Sequence, residues 1–412
     1  SEFSRRGGPA VTTTMEYTRV ATDRLRQFVD ENDHLPTPYL VMDLDIVRER
    51  YDALRHAIPE AGIFYAVKAN PAPEVLRVLD AAGSCFDVAS IGEIAQCESL
   101  GIAPERLSFG NTIKKESAIA AAHAAGVRTF AVDAPEELDK LIRHAPRSTL
   151  LVRLASEGGG ADWPLSRKFG TTEEAAAALL NGAVAHGHRV GISFHVGSQQ
   201  HDPDAWAAPL AATRRLRDML QRQGHDLVAV NLGGGLPSRH AQPTPPLVSY
   251  GEAIRGALHR YDLADLNVMT EPGRFLVGDA GMIRAEVVLA TDKPSDDGRR
   301  WVYLDIGVFN GLVETQEEAI RYRIHCPGAD GDDVPCVLAG PTCDSLDILY
   351  ERTPYPLPAG LRAGDPVEIL SAGAYTTSYS SVGFNGIEPL RTYHLPTTPN
   401  GEEDVISRDC GR

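Results

Sequence analysis

A run of strand-forming residues, IFYAVKANP at 63–71, ends on a lysine and passes at once to a small residue, an asparagine and a proline. A lysine at a strand end is usually solvated and chemically idle. Shielded from water at the mouth of a barrel or sheet, it becomes a nucleophile for aldehydes. HVGSQ (195–199) offers an imidazole, His195, able to stack on an aromatic ring, and a hydroxyl, Ser198, able to bind phosphate. NLGGGLP (231–237) sets Gly233, Gly234 and Gly235 directly after a strand, where the missing Cβ atoms let backbone N–H groups approach a phosphate closely. EPGR (271–274) supplies the carboxylate Glu271 and the guanidinium Arg274. GPTCDSLD (340–347) places a thiol proton donor, Cys343, beside a carboxylate, Asp344, suited to a substrate ammonium group.

Each of these stretches, taken alone, has an ordinary structural explanation as a turn, a cap or an ion pair. Together they describe one ligand, with an aldehyde for Lys68, a ring under His195, a ring nitrogen at Glu271 and a phosphate in the glycine cup beside Arg274. That ligand is pyridoxal 5′-phosphate. A carboxylate buried on a barrel axis needs a cationic partner, and a protonated ring nitrogen is one. GAYTTSYSSVGFNG (373–386) adds Tyr375, a phenol for the phosphate site, and Phe384, a pocket wall.

The elements that must position these groups follow from the pattern of the chain. From about residue 60, short β-rich runs alternate with Ala- and Leu-rich helical stretches. Strands are expected at 62–69, 85–90, 106–111, 129–134, 149–155, 191–198, 228–235 and 267–274. About eight βα units predict a closed (β/α)8 barrel, a TIM barrel, over 37–280. Such barrels do chemistry at the C-terminal ends of their strands, where Lys68, Asp87, Asn111, Arg153, His195, Gly233–Gly235, Glu271 and Arg274 all fall. After 280 the rhythm becomes β segments joined by turns, a second β domain (281–412) completed by the N-terminal segment 15–36. The stretch 291–300 reads as a hairpin tip, 403–412 as a loose tail, and residues 1–14 as a tag remnant or disordered lead ahead of Met15.

Composition excludes some partners. The 412 residues are 43% hydrophobic, with 40 Lys+Arg against 56 Asp+Glu and a net charge of −16. Such a surface repels a phosphate backbone and attracts small cations, so nucleic acid is excluded as a partner. No apolar run is long enough to span a bilayer. Six scattered cysteines without CxxC spacing give no metal site and fit free thiols in the cytoplasm.

In this order and spacing, YAVKANP, FDVAS, HVGSQ, GGGLP, EPGR, GPTCDSLD, GAYT and FNG resemble the alanine-racemase-fold (fold type III) amino acid decarboxylases that use pyridoxal phosphate, over about 37–390. SFGNTIKKES, ADWPLSRKFG and SAGAYTTSYSSVGFNG make the bacterial ornithine/lysine decarboxylases the nearest subgroup. The resemblance implies that Lys68 bonds the cofactor aldehyde, His195 stacks on its ring and Glu271 partners its ring nitrogen. It assigns the phosphate to Ser198, Gly233, Gly234, Gly235, Gly273, Arg274 and Tyr375, and lines the cofactor site with Asp87 and Arg153. Cys343 and Asp344 would enter from the second subunit of a head-to-tail homodimer, and Lys168 and Asp347 would bridge the subunits. The substrate implied is L-ornithine, then L-lysine. In the acidic stretch VETQEE (313–318), Glu317 stands where the related bacterial enzymes usually carry Asp, which opens shorter diamino acids such as 2,4-diaminobutyrate. Diaminopimelate is disfavoured because that family pattern places Glu where Asp344 stands. Racemisation is disfavoured by Glu271, since racemases of this fold put arginine at the ring nitrogen. A non-catalytic regulatory homologue, from a different class, would lack the lysine or the thiol–carboxylate pair that this chain keeps.

Overall fold

The computed structural model describes residues 23–163 and 167–398, so Met15, the opening segment and the tail at 403–412 lie outside the described residues. In chain order the strands are β1 (Tyr39–Asp43), β2 (Ala61–Ala66), β3 (Cys85–Val88), β4 (Leu107–Phe109), β5 (Thr129–Val132), β6 (Thr149–Arg153), β7 (Ala161–Trp163), β8 (Arg189–Ser193), β9 (Ser198–Gln200), β10 (Ala229–Asn231) and β11 (Asn267–Thr270). Strands β2, β3, β4, β5, β6, β8, β10 and β11 close into a parallel barrel, as the sequence rhythm predicts. The antiparallel pair β7–β9, joined through a helix and β8, is an addition to it, and its Trp163 and Ser198 line the cavity at the barrel mouth.

Side chains on a strand alternate, and this alternation builds the site. Phe64, Cys85, Leu151, Ala229 and Met269 point inward and form a separate apolar cluster that plugs the lower barrel. Two residues further along the same strands stand Ala66, Asp87, Arg153 and Asn231, all facing an open cavity. The intervening residues Ile63, Tyr65, Phe86 and Val230 face outward into the main core under the helices. Strand period therefore converts a hydrophobic floor into a polar chamber one step up.

The second domain is an eight-stranded mixed sheet. It contains β12 (Gly281–Lys293), β13 (Arg299–Leu304), β14 (Arg323–His325), β15 (Asp333–Ala339), β16 (Ile348–Pro358), β17 (Pro366–Leu370) and β18 (Arg391–Leu395), together with β1. The expected tip at 291–300 joins β12 to β13. The N-terminal segment completes this sheet further along the chain than the 36/37 boundary allows. Tyr39–Asp43 pairs antiparallel with β12 and parallel with β18, so the barrel begins after Asp43. The reason is burial on both faces: all five residues of β1 are buried, with Tyr39 and Val41 packed on Met282, and Leu40 and Met42 in the main core.

Among the described residues, no helix is long and apolar enough to cross a membrane. Cys97, Cys326, Cys336 and Cys343 are free thiols, as expected, whereas Cys85 is disulfide-bonded.

Candidate active site

A cavity of about 740 Å³ opens at the C-terminal ends of the barrel strands. Lys68 stands on its wall, in a single 3-10 turn (Val67–Ala69) just past β2 rather than within the strand. The residues after it explain the motif. Asn70 is buried and its side chain donates to the Gly373 carbonyl at 3.0 Å while accepting from the Ala72 N–H at 3.2 Å. Tyr65 donates to the Asn70 carbonyl at 2.9 Å, Tyr375 N–H to the Ala69 carbonyl at 2.8 Å, and the Ser378 hydroxyl to the Lys68 carbonyl at 2.6 Å. The turn that carries the lysine is thus clamped to the 373–378 loop of the second domain. Pro71 follows where the chain must leave the strand direction before the helix at Pro73–Ala81.

The Lys68 side chain presents accessible surface to the cavity while the barrel walls surround it in depth. Burial alone would push its ammonium down. Tyr375, Asp87 and Glu271 outweigh that and hold it above the usual lysine range, against the repulsion of Arg153. Asp87 is pushed well up, first by burial and next by the neighbouring Glu271 carboxylate, with Lys68 opposing. This pair needs Gly110: a Cβ there would sit 2.0 Å from Asp87 Oδ1 and 3.1 Å from Glu271 Oε2. Asp87 Oδ1 is buried without a hydrogen-bond partner.

His195 lies past the end of β8, with Nδ1 accepting the Gly197 N–H at 3.0 Å. Burial, then Arg153 and Lys68, push its pKa well down, so the ring is neutral and its proton sits on Nε2. Arg153 crosses the cavity with its guanidinium 5.3 Å from the Phe169 ring centre.

At the far end, Arg274 donates through Nε and Nη2 to Ser198 Oγ at 3.3 and 3.2 Å, and through Nη2 to Glu314 Oε2 at 2.6 Å. Its guanidinium lies 5.1 Å from the Tyr375 ring centre. Burial opposes the Arg274 charge and Glu314 more than restores it. Nη1 of Arg274 is buried without a partner, an unused donor in a cup lined by Gly234, Gly235 and Gly273. A Cβ on Gly234 would meet the Glu271 carbonyl at 2.7 Å and His195 Nε2 at 3.2 Å, so only glycine leaves this space open. Gly233 lies beneath the cavity instead, its carbonyl accepting from Glu271 N–H at 2.8 Å and Thr270 Oγ1 at 3.0 Å.

These groups fit pyridoxal phosphate: an amine, a carboxylate pair with one buried unpartnered oxygen, a glycine-floored cup and an arginine with an unsatisfied buried donor. Besides Gly233, four of the sequence candidates stand outside the cavity lining. Cys343 is exposed, its N–H donating to Asn385 Oδ1 at 3.0 Å. Asp344 caps its own loop by accepting the Leu346 N–H at 2.9 Å. Phe384 is 36% exposed and packs on Phe309 at 4.7 Å between ring centres. Glu317, at φ +55°, carries its side chain on the surface, where it pairs with Arg352. The buried carboxylate of that stretch is Glu314, which lines the cavity and which reading for a substrate amine passed over. The only sequence signal was the acidic run itself, because the kink at Gln316 and Glu317 that splits it cannot be seen in one dimension. Lys168 lines the cavity, 5.1 Å from the Phe169 ring centre, while buried Asp347 accepts from Val308 N–H and from Thr342 N–H and Oγ1, so the two do not meet within one chain.

A closed parallel barrel with a lysine, an acid pair and a phosphate cup at its mouth, joined to a mixed β domain, defines a pyridoxal phosphate enzyme. Residues 44–278 match the pyridoxal-binding domain of the pyridoxal-dependent decarboxylases, and the chain belongs to that family. It is 37% identical over 354 residues to the lysine/ornithine decarboxylase of Selenomonas ruminantium, covering 85% of this chain and 88% of the relative. Ornithine decarboxylase of Schizosaccharomyces pombe is 31% identical, with 87% and 83% covered. The lysine/ornithine decarboxylase of Vibrio vulnificus, solved with cadaverine, superposes with a TM-score of 0.80 at 31% identity, covering 91% of this chain and 98% of that one.

Proposed function

We propose that this chain decarboxylates a basic L-amino acid, L-ornithine to putrescine or L-lysine to cadaverine, with release of CO₂ and uptake of one proton at the α-carbon. The observation that carries the reading is the single cavity shared by Lys68, the Asp87–Glu271 acid pair and Arg274. When bound, pyridoxal phosphate supplies a sink for the electron pair that departing CO₂ leaves behind. Lys68 presents the amine that the aldehyde requires. Glu271, with Asp87 behind it, would partner the ring nitrogen and keep a proton there. His195, neutral, would cover the ring without adding charge to it. Arg274 and Ser198 would hold the phosphate beside the N–H groups of Gly234 and Gly235, with Tyr375 closing the cup from the second domain.

The chain acts, in this reading, as a head-to-tail homodimer. Cys343 would deliver the proton and Asp344 hold the distal ammonium in the partner's cavity, since neither lines the cavity of its own chain. Exposed Leu346 (66%) and Val382 (84%), in the loops carrying Cys343 and Phe384, support a covered face there. The test is CO₂ release by the pyridoxal phosphate-loaded enzyme from ornithine, lysine, arginine, 2,4-diaminobutyrate and diaminopimelate. Highest kcat/KM with ornithine or lysine is expected, and preference for any of the other three defeats the substrate assignment.

A further inference from the structure

A second cavity, of about 440 Å³, lies outside the barrel mouth, where the Pro-rich loop 237–246 meets the second domain. No residue lines both cavities. Three arginines, Arg50, Arg239 and Arg323, line it against one carboxylate, Asp279. That carboxylate is fully engaged: Oδ2 accepts from Arg50 Nη2 at 2.6 Å and Oδ1 from the Arg239 N–H at 2.9 Å. Arg323 donates only to neutral oxygens, the Arg239 carbonyl and Ser371 Oγ, both at 3.0 Å. Among the described residues, neither the Arg239 nor the Arg323 guanidinium has a carboxylate partner. His240 also lines the cavity, is 5% exposed, and has both ring nitrogens buried without a hydrogen-bond partner; Arg50 Nε is buried and unpartnered as well.

A packed protein rarely leaves a buried imidazole unsatisfied beside uncompensated guanidinium groups. A ligand that accepts hydrogen bonds and carries negative charge answers both deficits at once. We propose that this cavity binds a compact oxyanion, the phosphate or carboxylate group of a small metabolite, between Arg239, Arg323 and His240. Burial, then Arg274, lowers His240 to about 3, so the imidazole is neutral and offers one N–H to such an anion. Four prolines, Pro237, Pro243, Pro245 and Pro246, give the cavity a wall of restricted backbone. The site also touches the phosphate cup through the chain. Ser238, next to Arg239, donates its hydroxyl to the Arg274 carbonyl at 2.9 Å and its N–H to Gln199 Oε1 at 3.0 Å, the neighbour of Ser198.

The experiment is calorimetric titration of inorganic phosphate, and separately of citrate, into enzyme already saturated with pyridoxal phosphate, so that the barrel cup is filled. One saturable event per chain is expected with at least one of the two, and which one binds identifies phosphate or carboxylate as the natural group. Arg239→Ala, an exposed change, and Arg323→Gln should each weaken that event about tenfold by removing a charge-assisted contact. CO₂ release by Arg239→Ala without added anion should equal that of the parent. Absence of saturable binding by both anions overturns the proposal, and so does binding that Arg239→Ala leaves unchanged, whether or not Arg323→Gln folds.

Discussion

The barrel mouth and the Cys343–Asp344 loop carry equally reactive residues, yet one is a finished site and the other is not. At the barrel mouth the buried side-chain atoms left without a partner, Arg274 Nη1, Asp87 Oδ1, Glu314 Oε1, Ser108 Oγ and Ser193 Oγ, all belong to residues that line one cavity. On the loop the geometry is equally well fixed, by Asp347 and Asn385, but thiol and carboxylate face outward beside uncovered apolar side chains. Under the proposed head-to-tail arrangement, such a loop would complete the cavity of a second chain. The two regions are halves of one site only if two chains exchange them.

The severest way to break this comparison is at the barrel. Lys68→Ala should reduce CO₂ release to background while circular dichroism and thermal midpoint stay near those of the parent, because the amine is lost but little packed area goes with it. Turnover of ornithine or lysine by the purified variant at the parental rate would remove the lysine from the chemistry.

Mixing Lys68→Ala with Cys343→Ala under subunit exchange tests the sharing itself. Half the dimers become mixed, each with one intact site, so activity should return to about a quarter of wild type. With Cys343→Ala first shown to be severely impaired alone, verified mixed dimers without recovery would place both residues in one chain's site.

Asp344→Ala should raise KM for ornithine or lysine about a hundredfold, as when a buried charge pair loses one member, with pyridoxal phosphate affinity unchanged. An unaltered KM would mean that another carboxylate reads the amine.

Glu314→Gln and Glu317→Gln divide the acidic stretch. The first loosens Arg274 and should weaken pyridoxal phosphate binding about tenfold, measured by equilibrium fluorescence. The second removes a surface pair and should change neither binding nor KM. Reversal of that order would show that the kink turns in solution.

The smallest effect concerns β1. Burial pushes Asp43 up to about 6, with Arg24 at 2.7 Å opposing. A carboxyl raised in the folded state contributes stability below its unfolded range, and that contribution fades as pH rises through about 6. Urea midpoints should therefore fall between about pH 4 and pH 7 more steeply for the parent than for Asp43→Asn. Parallel profiles would assign the slope to other groups.

By itself the sequence determined the strands, their order and the residue types at their ends. Period-two alternation and helical spacing are local properties, and a lysine, a glycine triplet and an acid at strand ends identify the chemistry wherever the strands meet. The lysine at the strand end was legible, but the strand read at 62–69 stops at Ala66, and the 3-10 turn that carries Lys68 is held by Asn70 reaching Gly373 across 303 residues, which belongs to the tertiary structure. Tertiary structure alone decided three further matters. It drew Tyr39–Asp43 into the second sheet, because both faces of that strand find a core there. It chose Glu314 over Glu317, because a kink reverses neighbouring carboxylates and only the buried Arg274 can stabilise the inward one. It turned Cys343, Asp344 and Phe384 away from their own cavity, because where a loop points depends on the sheet beneath it and not on the residues it carries.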